Sequence, residues 1–217
     1  MAPQRNRCGG KTWGESVNFV PFQEIALRRV VIAALLTGMT QRGFFGYGSL
    51  VNRATHGYRV LACPELPGWR REWCQTGTRE FSFLSARRDA SAAISGLVAE
   101  VPDNDWAALD EREFAYEKSP LANALSHLPL TDIQIYSVPD ANHKPAPCPI
   151  LLSYLDVVVQ GFLAEFGPEG VANFFTTTTG WHVGVLDDRA APIYPRHQNL
   201  ARHETALVDR HLAALSA

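Results

Sequence analysis

The stretch Phe45-Gly46-Tyr47-Gly48-Ser49-Leu50 decides how this chain is read. Residues 44–47 are aromatic or small, as in a buried strand, and two glycines one residue apart end that strand in a tight turn. Small residues in such a turn leave backbone N–H groups uncovered, able to hold a carboxylate or an oxyanion. A nucleotide is the wrong ligand for it. The dinucleotide fingerprint needs a third glycine where Val51 stands, and a phosphate-binding loop needs Gly-Lys followed by Ser or Thr, which the stretch lacks.

Working outward, residues 69–73 and 81–84 alternate as strands about a Thr76-Gly77-Thr78 turn. Residues 94–101 form a further strand in which Gly96 marks a bulge or a close backbone approach. Pro102-Asp103-Asn104 opens a helix that runs through 113, with Asp or Asn as its N-cap. A strand at 133–138 leads into a proline-rich loop at 139–149. Residues 150–166 read as a mostly apolar helix that Gly167-Pro168 stops, and a second helix covers 169–175. Threonines 176–179 break it. Asp187-Asp188-Arg189 and Tyr194-Pro195-Arg196 fall in irregular chain, and Leu200, Leu207, Val208, Leu212 and Leu215 mark a last amphipathic helix. Strands first and helices after make the fold α+β rather than doubly wound.

On the helix ending at 113, Trp106, Leu109 and Glu113 share one face at i, i+3 and i+7. Asp110 lies at its edge, and Glu111 and Arg112 point elsewhere. A carboxylate on a core-facing stripe is desolvated, which raises its pKa and suits it to act as a base near neutral pH. The competing reading ends the helix before Glu113, or makes Glu113 a structural carboxylate paired with a buried arginine such as Arg70 or Arg71.

Composition narrows the classes. The chain has 217 residues, enough for one well-buried domain, and a net charge of −2, which speaks against a polyanionic nucleic-acid partner. Lysine occurs only at Lys11, Lys118 and Lys144. Cys8, Cys63, Cys74 and Cys148 form no CxxC pair, as expected in a reducing cytoplasm, and the seven scattered histidines show no metal spacing. The apolar run at 30–36 is too short to span a bilayer, so no membrane partner is expected. Residues 1–38 read as an N-terminal extension, either untranslated with Met39 as the start or a disordered or helical arm. Residues 39–217 read as a single domain, with its core at 44–166 and a C-terminal extension at 167–217.

The Phe45–Leu50 turn, Gly68-Trp69-Arg70-Arg71, Ile94-Ser95-Gly96-Leu97 and Leu109-Asp110-x-x-Glu113 occur in that order. Together they resemble the γ-glutamylcyclotransferase-like superfamily, which includes the ChaC-type glutathione-degrading enzymes and the AIG2-like proteins. Ser153-Tyr154 opening a helix, with Gly161 following, is similar to that family's C-terminal helix. The resemblance covers roughly residues 44–161, and residues 174–217 lie outside it. It implies a small mixed β-barrel with flanking helices, to which this chain adds a helical C-terminal extension, and a reaction needing no cofactor and no metal. A small-molecule γ-glutamyl substrate, glutathione or a γ-glutamyl amino acid or amine, would sit on Tyr47, Gly48, Ser49 and Leu50. Glu113 would be the catalytic base, and Tyr154 and Tyr116 would line the pocket. The product would be 5-oxoproline. Phe114-Ala115-Tyr116 departs from the glycine-containing stretch usual in ChaC-type members and narrows the expected pocket. Two alternatives keep the same fold: an amide-cleaving enzyme with another substrate, and a non-catalytic binding or interaction module.

Overall fold

A computed structural model describes residues 41–121, 125–144 and 148–215; the extension read at residues 1–38 lies outside them. The chain order begins with β1 (Arg42–Gly46), β2 (Val60–Ala62), β3 (Glu65–Cys74), β4 (Phe83–Ser95) and β5 (Leu97–Val101). The short helix α1 (Ala107–Arg112), β6 (Glu117–Pro120), β7 (Asp132–Ser137) and β8 (Ile150–Leu151) follow. Then come the long helix α2 (Leu152–Thr177), β9 (Thr178–Thr179), β10 (Val185–Leu186) and α3 (Arg202–Leu215). The fold is mixed α+β. One sheet has the order β2-β5-β1-β7-β6, a second β4-β3-β9, and β8 pairs with β10. Among the described residues these ladders do not themselves close a barrel.

β1 is the centre of the larger sheet, antiparallel to β5 and parallel to β7. Side chains alternate across a strand, so its two phenylalanines serve two cores. Phe44 packs with Leu97, Leu109 and Tyr136 on one face, whereas Phe45 joins the larger cluster that holds Trp73, Leu155 and Phe162. A strand buried on both faces carries its terminal turn into the interior, and that is how the two-glycine turn comes to rest inside the protein.

The same period-2 rule puts Arg71 of β3 on the face of Trp69 and Trp73, and its side chain is fully buried. Its guanidinium donates to Ser95 O (2.8 Å), Thr177 Oγ1 (3.0 Å) and Thr178 Oγ1 (3.3 Å). Its central carbon lies 5.0 and 5.1 Å from the ring centroids of Phe162 and Phe174. Burial pushes its pKa down to about 9.

β4 is longer than the sequence suggests. It runs without a break through the Arg87-Arg88-Asp89 segment to Ser95, because pairing with β3 offsets the poor strand propensity of that polar stretch. Gly96 then separates β4 from β5; a Cβ there would stand 2.4 Å from the carbonyl oxygen of Gly46. α2 is two helical segments joined at Gly167, whose φ of 67° and the following Pro168 interrupt the ladder where the sequence reading ends one helix and begins another. Among the described residues no helix is long and apolar enough to cross a membrane.

The first segment of α2 clamps the two-glycine turn. A Cβ on Gly161 would meet the backbone N of Asn52 at 2.6 Å, so only glycine permits this approach. Asn52 in turn donates through Nδ2 to Val157 O (2.9 Å) and Gln160 Oε1 (3.0 Å). Gly161→Ala should therefore lower the urea midpoint. Overpacking against backbone costs about 1–3 kcal/mol, more than the ~1 kcal/mol of helix propensity that alanine gains. A raised midpoint would mean that the turn moves freely away from the helix.

Candidate active site

α1 is only six residues long and is anchored by Leu109, which is fully buried in the Phe44 cluster. The expected helix from 102 to 113 is divided. Pro102–Asn104 is a separate turn with positive φ at Asp103 and Asn104, and Asp105 rather than 103 or 104 accepts from an α1 amide, that of Ala107 (3.0 Å). The helix ends at Arg112, and Glu113 follows as its C-cap, its N–H donating to Leu109 O (2.9 Å). Glu113 thus leaves the helical wheel, and its carboxylate turns inward with the side chain 14% exposed.

Arg112 does not point away from it, as the wheel implies. Its side chain is 6% exposed, with Nε 3.3 Å from Glu113 Oε1, because the chain turns between the two residues and brings consecutive side chains together. Its guanidinium also donates to Thr55 O (3.0 Å), Thr55 Oγ1 (3.1 Å) and Ser49 Oγ (3.2 Å). The arginine that pairs with Glu113 is this one; Arg70 instead pairs with Asp89 (2.6 Å). Asp110 lines no part of the cavity and pairs with Lys118 (2.7 Å) and the Tyr136 hydroxyl (2.5 Å).

Glu113 faces a cavity of about 330 Å³ that narrows to a water-sized recess of about 20 Å³ against residues 45–50. Tyr47, Gly48, Ser49 and Leu50 all border the recess with Glu113, Tyr116 and Tyr154. Among the described residues, no backbone carbonyl accepts from the amides of Ser49 and Leu50. The Tyr154 hydroxyl sits over the turn and accepts from the backbone N–H of Ser49, and a Cβ on Gly48 would stand 2.8 Å from it. Gly48 is therefore a contact requirement as well as a turn residue. The hydroxyls of the other two tyrosines are already engaged: Tyr47 donates to Tyr136 O (2.6 Å) and Tyr116 to Leu84 O (3.0 Å). Of the tyrosines placed here from sequence, Tyr154 brings its hydroxyl to the turn, Tyr116 a ring, and Tyr47 its backbone.

Burial pushes the Glu113 carboxyl above the ordinary glutamate value, while Arg112 and Arg196 hold it down. Burial likewise raises Tyr47, Tyr116 and Tyr154, so all three hydroxyls stay protonated at neutral pH. The cavity therefore brings together one desolvated carboxylate, neutral hydroxyls and, at Leu50, an open turn amide. It has no histidine in its lining. The Ser49 hydroxyl is held by Arg112, and that of Ser82 donates to Cys148 O (2.6 Å), so neither serine is paired with a base for attack. Among the described residues no group of three or more His, Cys, Asp or Glu is arranged to hold a metal.

Three arginines of the cavity, Arg79, Arg112 and Arg196, escaped the sequence reading. An arginine beside a presumed buried acid is a signal that could have found Arg112. Arg79 and Arg196 arrive from irregular chain, with no periodicity to place them.

No protein-family model and no curated protein matches the chain. Solved structures do. A γ-glutamyl cyclotransferase aligns over 78% of this chain and 99% of its own, with a TM-score of 0.52 and 11% identity. An uncharacterized protein from Homo sapiens aligns over 79% and 99%, with a TM-score of 0.50 and 11% identity. YkqA from Bacillus subtilis aligns over 70% of this chain and 60% of its own, at 0.50 and 15%. The chain has the γ-glutamylcyclotransferase-like fold.

The raised pKa of Glu113 has a consequence for stability. The folded state keeps the proton to higher pH than the unfolded chain, whose glutamate titrates near 4.5. The stability this contributes is complete below pH 4.5 and is lost as pH rises through the folded value. Urea denaturation of wild type and Glu113→Gln across pH 4–8 should therefore give curves that diverge over that window, with wild type falling relative to the variant. Parallel curves would show that the carboxylate is not desolvated.

Proposed function

We propose that this protein catalyses intramolecular aminolysis of a γ-glutamyl amide, releasing 5-oxoproline and an amine. The observation that carries the reading is the meeting of a desolvated Glu113, the open amide of Leu50, and the Tyr154 hydroxyl on the Ser49 amide at one recess. A fold shared with a γ-glutamyl cyclotransferase supports it.

The glutamyl half would lie in the cavity of about 330 Å³ at the mouth of the recess, with its γ-carbonyl oxygen directed into the recess and at the turn. Glu113 takes a proton from the α-ammonium, and the freed amine attacks the γ-carbonyl carbon. The new N–C bond closes a five-membered ring while charge builds on the γ-oxygen, which the Leu50 amide and Tyr154 stabilise. The old C–N bond breaks as Glu113 returns its proton to the departing nitrogen, and the second proton of the ring nitrogen passes to the released amine, which leaves as an ammonium. No water is consumed and no group on the enzyme is acylated. That suits a cavity in which neither serine is paired with a base, since the nucleophile arrives with the substrate. Holding nucleophile and electrophile in one folded pose is worth about 7–11 kcal/mol, the base about 10²–10⁴-fold, and an oxyanion donor about 3 kcal/mol.

One observation favours a second reading. The 3.3 Å contact between Arg112 and Glu113 is also what a structural ion pair in a binding module would show. The two readings part on Glu113→Gln, which keeps the shape and loses the base. On the enzymatic reading, 5-oxoproline release from γ-glutamyl compounds falls at least about 100-fold, with the urea midpoint at neutral pH held or raised. Release that persists in the variant removes Glu113 from the mechanism. A variant that unfolds supports the ion pair instead. Tyr154→Phe should lower kcat/KM about tenfold, the worth of one hydrogen bond near 1–1.5 kcal/mol, without moving the acid limb of the pH profile that belongs to Glu113.

A further inference from the structure

Ring closure occupies the part of the cavity next to the recess and leaves the rest of it without a role. That part is walled by residues 193–196, from the segment that follows β10. The segment is pinned. Asp188, itself buried, accepts from Ser153 N (2.7 Å), Ser153 Oγ (2.5 Å) and Ile193 N (2.9 Å), and Tyr194 N donates to Ser153 Oγ (3.3 Å). Arg189 ties the same segment to α2 and α3 through Asp156 and Asp209, both at 2.7 Å. The Tyr194 ring meets Tyr154 edge to face, with centroids 4.9 Å apart. Residues 193–196 are thus a fixed wall.

This wall presents Arg196. The residue is partly buried and its side chain, among the described residues, has no hydrogen-bond or ion-pair partner; it acts on Glu113 only through its field. Arg79, exposed at the same cavity, contacts the Phe114 ring at 5.6 Å and likewise has no carboxylate partner. Three guanidiniums face a single carboxylate, so the cavity is net positive. Its lining also includes two exposed apolar side chains, Phe114 at 60% and Ile193 at 52%, which an apolar group of a ligand in the cavity could cover. A γ-glutamyl compound carries an anion on its glutamyl half. A second unpaired cation farther out calls for a second anion, on the half that leaves.

We propose that Arg196 is a specificity-determining residue that binds a carboxylate on the leaving half of the substrate, and that this half is an amino acid whose apolar side chain lies on Phe114 and Ile193. The proposal rests on the 5-oxoproline-forming reading. Arg196 would dock the leaving amino acid without entering the bond-making steps, and Asp188 would serve as the positioning residue for the wall.

The test uses the full chain and two substrates differing only in that carboxylate, γ-glutamyl-phenylalanine and γ-glutamyl-phenethylamine. Wild type should favour the carboxylate by about 10- to 100-fold in kcat/KM, the range of a charge-assisted hydrogen bond. Arg196→Gln should collapse the ratio toward one, and Arg196→Lys should keep part of it. γ-Glutamyl-glycine, which keeps the carboxylate without the apolar body, should be at least about tenfold poorer than the phenylalanine compound. A wild-type ratio near one, or an undiminished ratio in Arg196→Gln, overturns the assignment of Arg196; equal use of the glycine and phenylalanine compounds overturns that of Phe114 and Ile193. If no 5-oxoproline forms from any compound, the reaction itself is wrong, and calorimetric binding of the same pair decides for Arg196. Carboxylate-dependent binding lost in Arg196→Gln upholds its role; binding indifferent to the carboxylate, or no binding, rejects it.

Discussion

The guanidinium of Arg112 is the constraint on which the site depends. Its side chain is almost wholly buried, so its charge must be met by nearby oxygens, and these come from two separate pieces of chain: Glu113 at the end of α1, and Ser49 and Thr55 around the two-glycine turn. Because the acceptors belong to both pieces, the shared guanidinium holds turn and helix end in register, and its Ser49 and Thr55 partners remain when the Glu113 charge is removed. The same contacts set the chemistry. Arg112 donates to the Ser49 hydroxyl oxygen, so on the reading proposed here the turn would act through its backbone rather than through that serine. It also restrains the pKa that burial would otherwise lift further, leaving Glu113 a base of moderated strength.

The opposite side of the turn is fixed by α2, through the contact of Gly161 with Asn52 and the Asn52 amide. α2 is held in its turn by Arg71, a buried cation without a carboxylate partner. Desolvating it is costly, and its depressed pKa records that cost. Three oxygen acceptors and two phenylalanine faces offset it, and they come from the end of β4, from α2 and from β9. One arginine clamps the turn to α1, another clamps α2 to the β3–β4 sheet, and the recess lies between them.

Local pattern made much of this legible. The apolar run before Gly46, the length of the 150–166 stretch, the Gly167-Pro168 break and the amphipathic spacing of the last helix all report on the residues that form them, and the structure has these elements close to where the pattern puts them. Glu113 was found by treating it as a helical residue, and its inward direction holds although it lies just past the helix end. The same wheel misdirected Arg112, because a wheel describes a helix and not its exit. Residues 85–93 give no strand signal in sequence, since the pairing of 85–88 and 93 with β3, across a register shift, leaves no trace in period or propensity. Residues 187–196 were set aside as irregular chain for a like reason. Their order comes from Asp188 reaching back 35 residues in sequence to Ser153 and from the two-residue pairing of β8 with β10, neither of which a window of sequence can show.

Charge balance in the cavity bears on how such a site would run. A base that must accept a proton from an ammonium is opposed by the field of that ammonium, which lowers the pKa of the carboxylate as the substrate arrives. Arg112 and Arg196 push in the same direction. On the reading proposed here, the substrate brings part of the remedy: a leaving-group carboxylate against Arg196 cancels the cation that faces Glu113. It also displaces water, and both changes favour the neutral carboxyl. Binding of the leaving half would then raise the proton affinity of Glu113 when ring closure requires it, coupling recognition at Arg196 to basicity in the recess. A substrate lacking that carboxylate would leave the Arg196 field intact, so the loss would fall on kcat as well as on KM.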